Sequence, residues 1–223
     1  MPFQTTLSLI ASALLAAACL AAPAAVAAPP ASVAGIAQQI VPVAQWGGTP
    51  ADAALARPHR IVGITLHHQG ETYKAGTDPE KYLRNLQSWS RSAKKWIDIP
   101  YHYVVDLEGR TFAARDIGFA GDTNTDYDPA GQALIEVVGN FEEVEPNQHQ
   151  LDAVVDMMAL LVVRHALSID TIRGHKDHVH TLCPGRNMYR YLENSYFRHK
   201  VALRLAGMQP SAPASAPSRA PWR

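Results

Sequence analysis

Residues 174–189 read Gly-His-Lys-Asp-His-Val-His-Thr-Leu-Cys-Pro-Gly-Arg-Asn-Met-Tyr and hold three of the ten histidines and Cys183, one of only two cysteines. A thiolate and several imidazoles suit a borderline-soft divalent cation, of which zinc is the leading candidate. Upstream, residues 61–68 read Ile-Val-Gly-Ile-Thr-Leu-His-His, so two more imidazoles end an apolar run. Together the two segments predict a zinc site built from distant parts of the chain.

The apolar, β-branched run before His67 predicts a buried strand, and its histidines fall where that strand ends. Ligands at strand ends are held by the sheet and still reach solvent. The same kind of pattern predicts three more strands, over 101–106, 111–115 and 133–139. The first two of these form a hairpin through the turn at Gly109.

Helix signals lie between and after the strands. Asp78 can cap a helix that begins at Pro79 and ends near Trp96. Four residues of this helix repeat at helical spacing and form one apolar stripe: Tyr82, Leu83, Leu86 and Trp89. Two further helices are expected, one opening at Pro146 and one over 189–205. The polar segment 118–131 is a loop of the kind that borders a binding cleft.

Length and charge limit the classes of function. The chain has 223 residues, which corresponds to one ordinary domain plus its ends. Acidic and basic side chains balance at 20 each, so no net field favours nucleic acid or an anionic membrane surface. The expected partner is therefore not a polyanion recognised by charge, and the chain is expected to be a monomer.

The N-terminal residues are interpreted as a targeting segment. A short run rich in Ala and Leu over 7–22 leads to Ala25-Val26-Ala27, an A-x-A cleavage pattern, so 1–27 is predicted to be a secretory signal peptide. No Lys or Arg precedes the run. The mature protein is then exported, periplasmic or secreted, without a stable membrane span. The alternative is a lipid-anchored form through Cys19.

The remaining boundaries follow from composition. Residues 28–39 are predicted to be a Pro/Ala-rich spacer, 40–206 the folded domain, and 207–223 a Pro/Ala/Ser-rich disordered tail.

Two residues of the domain need an explanation. After signal cleavage Cys183 is the only cysteine of an exported protein, where a free exposed thiol is a liability. A metal thiolate resolves this, and a buried inert cysteine is the alternative. Glu136 stands in the middle of an apolar strand, where a charged side chain needs a partner or a purpose.

The motifs resemble the zinc-dependent N-acetylmuramoyl-L-alanine amidases of the type-2 class, which includes phage T7 lysozyme and the peptidoglycan recognition proteins. The matching pieces occur in the family's order along nearly the whole domain: 40–42 with Trp46-Gly47, 65–68, 98–103, Gly109-Arg110, 135–141, Gly174-His175 and 181–185. The resemblance implies an α/β fold with a central, mostly mixed β-sheet flanked by helices in a single amidase domain.

The resemblance also implies site residues. His67, His175 and Cys183 match the family's three zinc ligands. Tyr101 matches a tyrosine that assists catalysis, and Thr181 lies where the family carries Lys or Thr. Glu136 matches a glutamate proposed as general base in the branch that acts on muropeptides, with a structural salt bridge as the alternative. The substrate implied is peptidoglycan or its muropeptide fragments, cut between N-acetylmuramic acid and L-alanine.

The chemistry of these residue types is compatible with that reaction. Three protein ligands leave a fourth zinc position for water, which is typical of catalytic rather than structural sites. Zinc lowers the pKa of such a water toward about 7. Tyr101 could donate to the oxyanion and Glu136 could pass a proton to the leaving amine. The Thr181 side chain carries no positive charge, so a hydrogen bond from its hydroxyl would stabilise an oxyanion less than one from a Lys ammonium group.

The other histidines are given structural roles. His68 is expected to pack or to orient its neighbour, and His102 and His149 to be packed or solvated. His178 and His180 lie within the ligand loop and are expected not to bind the metal. One segment departs from the family: the place of a Gly-Ala-His-Thr segment reads Phe-Ala-Gly-Asp-Thr-Asn over 119–124, so substrate contacts there are expected to differ.

Two other functions compete with the amidase. One is a binding module, because family members that lack the cysteine bind peptidoglycan without cutting it; the presence of Cys183 argues against this alternative. Cys183 could alternatively act as the nucleophile of a cysteine hydrolase with His175 as its base. The sequence does not distinguish intact sacculus from soluble or anhydro-muropeptides.

Overall fold

The computed structural model describes residues 32–208. The predicted signal peptide, Cys19 and the tail beyond residue 208 lie outside this range. A five-stranded mixed sheet forms the centre of the domain, with the order β3-β2-β4-β1-β5. Its strands are β1 (Gly63–His68), β2 (Tyr103–Val105), β3 (Thr111–Ala113), β4 (Gln132–Val137) and β5 (Ile172–Gly174). The predicted α/β fold with a mixed sheet is confirmed.

Five helices accompany the sheet within the described residues: α1 (Val33–Gln39), α2 (Pro79–Ser92), α3 (Gln148–His165), α4 (Arg186–Glu193) and α5 (Tyr196–Met208). Three single turns of 3₁₀ helix complete the regular structure, over Ala53–Leu55, Ile169–Thr171 and His175–Asp177. None of the helices in the described range has both the length and the apolar content needed to cross a lipid bilayer.

The position of the site follows from the parallel part of the sheet. Strand β1 runs parallel to both of its neighbours, β4 and β5, and only the β2–β3 hairpin is antiparallel. Leu66 is paired with Ile135 on one side and with Gly174 on the other. Because the carboxyl ends of parallel strands meet at one edge of a sheet, His67 and His175 come side by side there.

The sheet separates two hydrophobic clusters. The larger one packs α1, α3, α4 and α5 against side chains such as Ile64, Leu66 and Ile135. The smaller one lies on the other face under α2 and includes Trp46, Leu83 and Phe112. Side chains alternate along a strand, so Thr65 and His67 point away from the larger cluster that holds Ile64 and Leu66. His67 therefore lies on the face of the sheet that α2 covers.

Helix α2 begins as its sequence predicts. The Asp78 carboxylate accepts the backbone N–H groups of Glu80 and Lys81 at 2.9 and 3.2 Å, and Pro79 occupies the first turn. The helix ends at Ser92 rather than near Trp96. Its buried residues are Leu83, Gln87 and Ser90, whereas Trp89 is 43% exposed. The apolar stripe is thus divided between the core and an open groove.

Other predicted boundaries also differ from the structure, and the helix predicted to open at Pro146 begins at Gln148. The helix expected over 189–205 is two helices, because the chain turns at Asn194-Ser195, where Ser195 has φ of 63° and the Asn194 side chain caps the N–H of Tyr196 at 3.0 Å. Asn and Ser favour such caps over helix interiors. The expected spacer 28–39 overlaps helix α1, whose Ile36 is buried in the larger cluster.

Candidate metal centre

The structure brings together the three residues that the sequence singled out as metal ligands. His67 ends β1, His175 follows β5, and Cys183 lies in the loop after the 3₁₀ turn. One donor atom from each of them lies within 4.8 Å of the other two. Within residues 32–208 this is the one cluster of three or more His, Cys, Asp or Glu side chains that can hold a metal ion.

The donor geometry fits zinc. The Cys183 Sγ lies 3.6 Å from the His67 Nδ1. Zinc–nitrogen and zinc–sulfur bonds of about 2.0 and 2.3 Å at a tetrahedral angle would place such atoms about 3.5 Å apart. The His67 Nε2 is buried and has no hydrogen-bond partner among the described residues. The polar contact of this ring in the described range is that of Nδ1 with the Cys183 sulfur, and a metal bound to both atoms would account for it.

Burial keeps both imidazoles neutral. It lowers the pKa of His67 well below its ordinary value, and the neighbouring His175 lowers it further. Burial likewise lowers the pKa of His175 to about 4. Neutral imidazole is the form that binds a metal, because it keeps a lone pair on one ring nitrogen.

The thiol of Cys183 is a poor nucleophile without a cation beside it. Burial raises its pKa to about 12, although the N–H of His68 donates to Sγ at 3.4 Å and opposes the shift. The reactive form of cysteine is the thiolate. Together with the lowered pKa of His175, the proposed base of a cysteine hydrolase, this disfavours a thiolate–imidazolium pair.

Thr181 holds the cysteine loop in place. Its Oγ1 accepts the backbone N–H of Cys183 at 3.2 Å, while the carbonyl of Cys183 accepts the N–H of Lys176 at 3.0 Å. Thr181 also lines the groove described below. Its visible role is the turn that presents Cys183, and the catalytic role predicted for it stays a prediction.

A groove of about 630 Å³ opens over these ligands. One wall is the exposed side of α2 with the Trp96 segment after it, and the opposite wall is the 122–125 part of the polar loop. The walls are lined by Tyr82, Asn85, Leu86, Trp89, Trp96, Asp122, Thr123, Asn124 and Thr125. Trp89 and Trp96 meet edge to face, with ring centroids 6.0 Å apart.

Glu136 lies beside His67, one of the three candidate ligands, and is 2% exposed. It is paired with His67 in the β1–β4 ladder. The hydroxyl of Tyr82 donates to its Oε1 at 3.0 Å, and its Oε2 has no partner among residues 32–208. Burial raises its pKa to about 8, while the hydrogen bond from Tyr82 acts in the opposite direction. Helical spacing places Tyr82 in the apolar stripe of α2 and gives no sign of this hydroxyl contact.

No Lys or Arg in the described range forms a salt bridge with Glu136, and its one hydrogen-bond donor is a neutral phenol. The structure therefore gives no support to the alternative of a structural salt bridge. A buried carboxyl group with one free oxygen and a pKa of about 8 is instead able to exchange a proton with a neighbouring group near neutral pH.

Tyr101 faces the same space. Its ring centroid lies 5.1 Å from that of His67, and it lines the groove. Burial raises its pKa well above the ordinary value, and the charge of Glu136 adds to the shift. The phenol is therefore protonated at neutral pH and can donate a hydrogen bond.

The five other histidines considered in the sequence lie outside the set of three candidate ligands. The His68 Nδ1 accepts the N–H of Phe141 at 3.3 Å, and the His102 Nδ1 accepts the N–H of Leu134 at 2.9 Å. The His178 Nε2 lies 3.0 Å from the Thr65 hydroxyl. His149 and His180 are exposed.

The 118–131 loop supplies a contact that the sequence analysis did not foresee. The Thr125 hydroxyl lies 2.9 Å from the His175 Nε2. The part of this loop that departs from the family, 119–124, places Asp122 against the buried Arg115 guanidinium at 2.5 Å. A run of polar residues indicates a loop, but nothing in its sequence shows which side chain reaches the metal ligands.

Comparisons with known proteins place the chain in a family. The model of the family described as N-acetylmuramoyl-L-alanine amidase matches residues 57–186. Mouse peptidoglycan recognition protein 1 is 25% identical over 158 residues, which cover 70% of this chain and 86% of the mouse protein.

Solved structures of peptidoglycan recognition proteins have a similar fold. The crystal structure of Drosophila peptidoglycan recognition protein SD superimposes with a TM-score of 0.59 at 26% identity and covers 69% of this chain and 92% of that one. Human PGRP-IBETAC, solved in complex with glycosamyl muramyl pentapeptide, shares the fold with a TM-score of 0.59 at 24% identity, covering 70% and 94%. The family match spans more than half of the chain and contains all three clustered ligands. The chain therefore belongs to the N-acetylmuramoyl-L-alanine amidase family, to which the peptidoglycan recognition proteins also belong.

Proposed function

We propose that the protein is a zinc-dependent hydrolase that cuts the amide bond between N-acetylmuramic acid and L-alanine in peptidoglycan or its muropeptides. Family membership supports peptidoglycan as the target, through either amide hydrolysis or binding. The observation that favours hydrolysis is the meeting of the His67, His175 and Cys183 donor atoms within 4.8 Å at the floor of a groove.

His67, His175 and Cys183 would hold the metal. A zinc ion bound by three protein groups supplies Lewis acidity and lowers the pKa of a water molecule in its open position to about 7. Both imidazoles are already neutral, and the sulfur lies beside them, so the ligands need little rearrangement. Strand ends and a hydrogen-bonded turn provide the rigidity that such a site requires.

Tyr101 and Glu136 are the proposed catalytic residues. The protonated Tyr101 phenol would donate to the carbonyl oxygen as negative charge develops on it. Glu136, with Oε1 held by Tyr82 and Oε2 free, would accept a proton from the attacking water and return it to the amine of L-alanine. The C–N bond then breaks, and the products are a free carboxylate and a free amine.

The shape of the groove supports a peptide-bearing sugar as the substrate. Its walls combine the aromatic rings of Trp89 and Trp96 with the polar side chains of 122–125. A related human structure holds a glycosamyl muramyl pentapeptide in the same fold. Aromatic faces pack against the apolar faces of sugars and stem peptides, and hydroxyl and amide groups satisfy their polar edges.

A peptidoglycan-binding module without catalysis is the second candidate, because relatives named recognition proteins share this fold. The retained third donor, Cys183, favours the enzyme over the binder. The cysteine-hydrolase alternative is supported less well, because burial raises the pKa of the thiol to about 12.

The proposal extends to export. Residues 1–27 are proposed to be a signal peptide, 40–206 the amidase domain and 207–223 a tail. Helix α1, within the spacer predicted over 28–39, packs against that domain. The mature protein would act as a monomer in the periplasm or outside the cell, with lipidation at Cys19 as the alternative. Mass spectrometry of the mature N-terminus distinguishes cleavage after Ala27 from a lipidated Cys19.

The decisive experiment is digestion of purified muropeptides followed by mass spectrometry. Wild-type protein should release peptides with a free L-alanine amino terminus. A chelator should stop the release and added zinc should restore it. Release that is indifferent to the chelator but abolished by thiol alkylation would favour the cysteine hydrolase. Tight binding of muropeptides without release, from protein loaded with zinc, would favour the binding module.

A further inference from the structure

The loop 118–131 reaches the metal centre through one side chain. The Thr125 hydroxyl lies 2.9 Å from the His175 Nε2, although 50 positions separate the two residues. His175 is buried, so water does not readily replace this contact. The hydrogen bond joins the wall of the groove to one of the three clustered ligands.

The contact restricts the tautomer of His175. A neutral imidazole has one N–H and one lone pair, so the nitrogen that donates a hydrogen bond cannot bind a metal. The Thr123 Oγ1 lies 2.8 Å from the Thr125 Oγ1 and accepts the backbone N–H of Thr125 at 3.2 Å. In one arrangement the Thr125 hydroxyl donates to Thr123 and accepts the Nε2–H of His175. The Nε2–H of His175 and the Thr125 hydroxyl are then both satisfied, and the His175 Nδ1 keeps its lone pair.

Other contacts join the loop to the rest of the domain, and the first of them is an ion pair between exposed side chains. The Asp128 carboxylate accepts two hydrogen bonds from Arg57, at 2.9 and 3.1 Å. The Tyr127 ring stacks on His178 with a centroid distance of 4.9 Å and an interplanar angle of 8°. His178 in turn lies 3.0 Å from the Thr65 hydroxyl on β1, two residues before His67. These contacts connect the loop 118–131, the segment that carries His175 and His178, and strand β1 directly around the site.

We propose that Thr125 is a positioning residue for the metal centre, whose hydroxyl accepts the Nε2–H of His175 and thereby leaves Nδ1 as the metal-binding nitrogen. This inference rests on the zinc site proposed above. Groups that accept the second N–H of a ligating histidine fix its ring and raise its basicity, and their loss typically weakens metal binding 10- to 100-fold.

Zinc affinity tests the proposal without relying on activity. Competition with a fluorescent chelator at fixed pH gives the zinc dissociation constant of each variant. Thr125→Val keeps the shape of the side chain and removes the hydroxyl, so its zinc binding should weaken about 10- to 100-fold. Thr125→Ser keeps the hydroxyl and should bind zinc within about threefold of the wild type. Equal affinities for the wild type and Thr125→Val would overturn the proposal.

A matched control separates the hydroxyl from general loosening of the loop. Asp128→Ala removes the Arg57 contact on the outside of the same loop and leaves Thr125 and His175 in place. It should retain the wild-type zinc affinity. A loss in Asp128→Ala as large as that in Thr125→Val would overturn the proposal, since loop order rather than the hydroxyl would then be responsible.

Nuclear magnetic resonance of the wild type tests the tautomer directly, even if a variant fails to fold. Long-range ¹H–¹⁵N spectra of metal-free protein should show His175 protonated at Nε2. A ring protonated at Nδ1 would overturn the inference. Wild-type protein that takes up no zinc at all would instead overturn the proposed function, so the two failures are distinguishable.

Discussion

The Nδ1 of His67 lies 3.6 Å from the Sγ of Cys183, although the two residues are 116 positions apart. The strand β1 carries the histidine, and a turn held by Thr181 and Lys176 carries the cysteine. The N–H of His68 also donates to the sulfur at 3.4 Å, so the thiol is fixed from the strand side as well. Both donors are thus presented by backbone that is already hydrogen-bonded.

Removing the sulfur should abolish zinc binding and activity. In Cys183→Ala two imidazoles remain, which is fewer than the three protein ligands of catalytic zinc sites. We expect muropeptide release to fall at least about 100-fold and the stabilisation by added zinc to disappear, because a ligand stabilises only the state that binds it. Metal analysis and thermal unfolding with and without zinc measure these effects.

Leu182→Ala is the matched control, because Leu182 is the neighbouring residue in the same loop and is 69% exposed. It should keep its zinc. If Cys183→Ala retained both zinc and cleavage, the assignment of the third ligand would be wrong.

Glu136→Gln should lose activity while keeping the metal. The amide keeps the size of the side chain and can still accept from Tyr82, but it cannot take up a proton at neutral pH. General bases contribute about 10²- to 10⁴-fold, so a drop in kcat of that order is expected. Zinc content and unfolding temperature should not fall, because no ligand is lost and a buried ionisable group is removed. Glu143→Gln, an exposed substitution nearby, should leave kcat unchanged.

Tyr82→Phe tests the link between α2 and Glu136. The change removes the one hydrogen bond that the carboxylate receives from the described residues. Since that bond lowers the pKa of Glu136, its loss should raise the pKa and move the acid limb of the pH–rate profile to higher pH. We expect a decrease in kcat of about tenfold at pH 7, corresponding to roughly 1.4 kcal/mol.

Tyr73→Phe is the comparison for that variant. The two tyrosine rings meet edge to face at 5.4 Å, but the buried Tyr73 hydroxyl has no partner in the described part of the chain. Its removal should leave the pH–rate profile in place. A shift of equal size in both variants would show that ring packing, and not the hydrogen bond, controls Glu136.

His102 should make the fold sensitive to acid. Burial lowers its pKa to about 3, whereas in the unfolded chain it is near the ordinary value of about 6.5. Between these values the unfolded state binds one more proton, so acid favours unfolding. The contribution of His102 to stability is complete above about pH 6.5 and is lost progressively toward pH 3, by up to roughly 1.4 kcal/mol per pH unit.

Urea unfolding of metal-free protein between pH 4 and pH 7 measures this slope. His102→Gln should be less stable at pH 7, because a hydrogen bond with Leu134 or Phe119 is lost. Its stability should nevertheless vary less with pH than that of the wild type. An unchanged slope would show that other groups cause the acid sensitivity.

Several features of the fold were predictable because they depend on local chemistry. Asp78 and Pro79 start α2 through a cap and a fixed φ, which need no tertiary contact. The apolar run before His67 becomes a strand buried along its whole length. By contrast, helical spacing marks an apolar side of α2 but not what covers it. Tyr82 and Trp89 therefore line a groove, while Leu83 packs in the core.

The residue types of the candidate site are evident in the sequence: two imidazoles and a sulfur that suit a metal, and a glutamate in the middle of an apolar strand. That these side chains meet, that Tyr82 contacts Glu136 and that Thr125 contacts His175 follow from the three-dimensional fold. The physical reason is strand register, since pairing Leu66 with Gly174 and His67 with Glu136 sets these residues side by side. Register is fixed by hydrogen bonds and packing between segments far apart in the chain, which local sequence patterns do not encode.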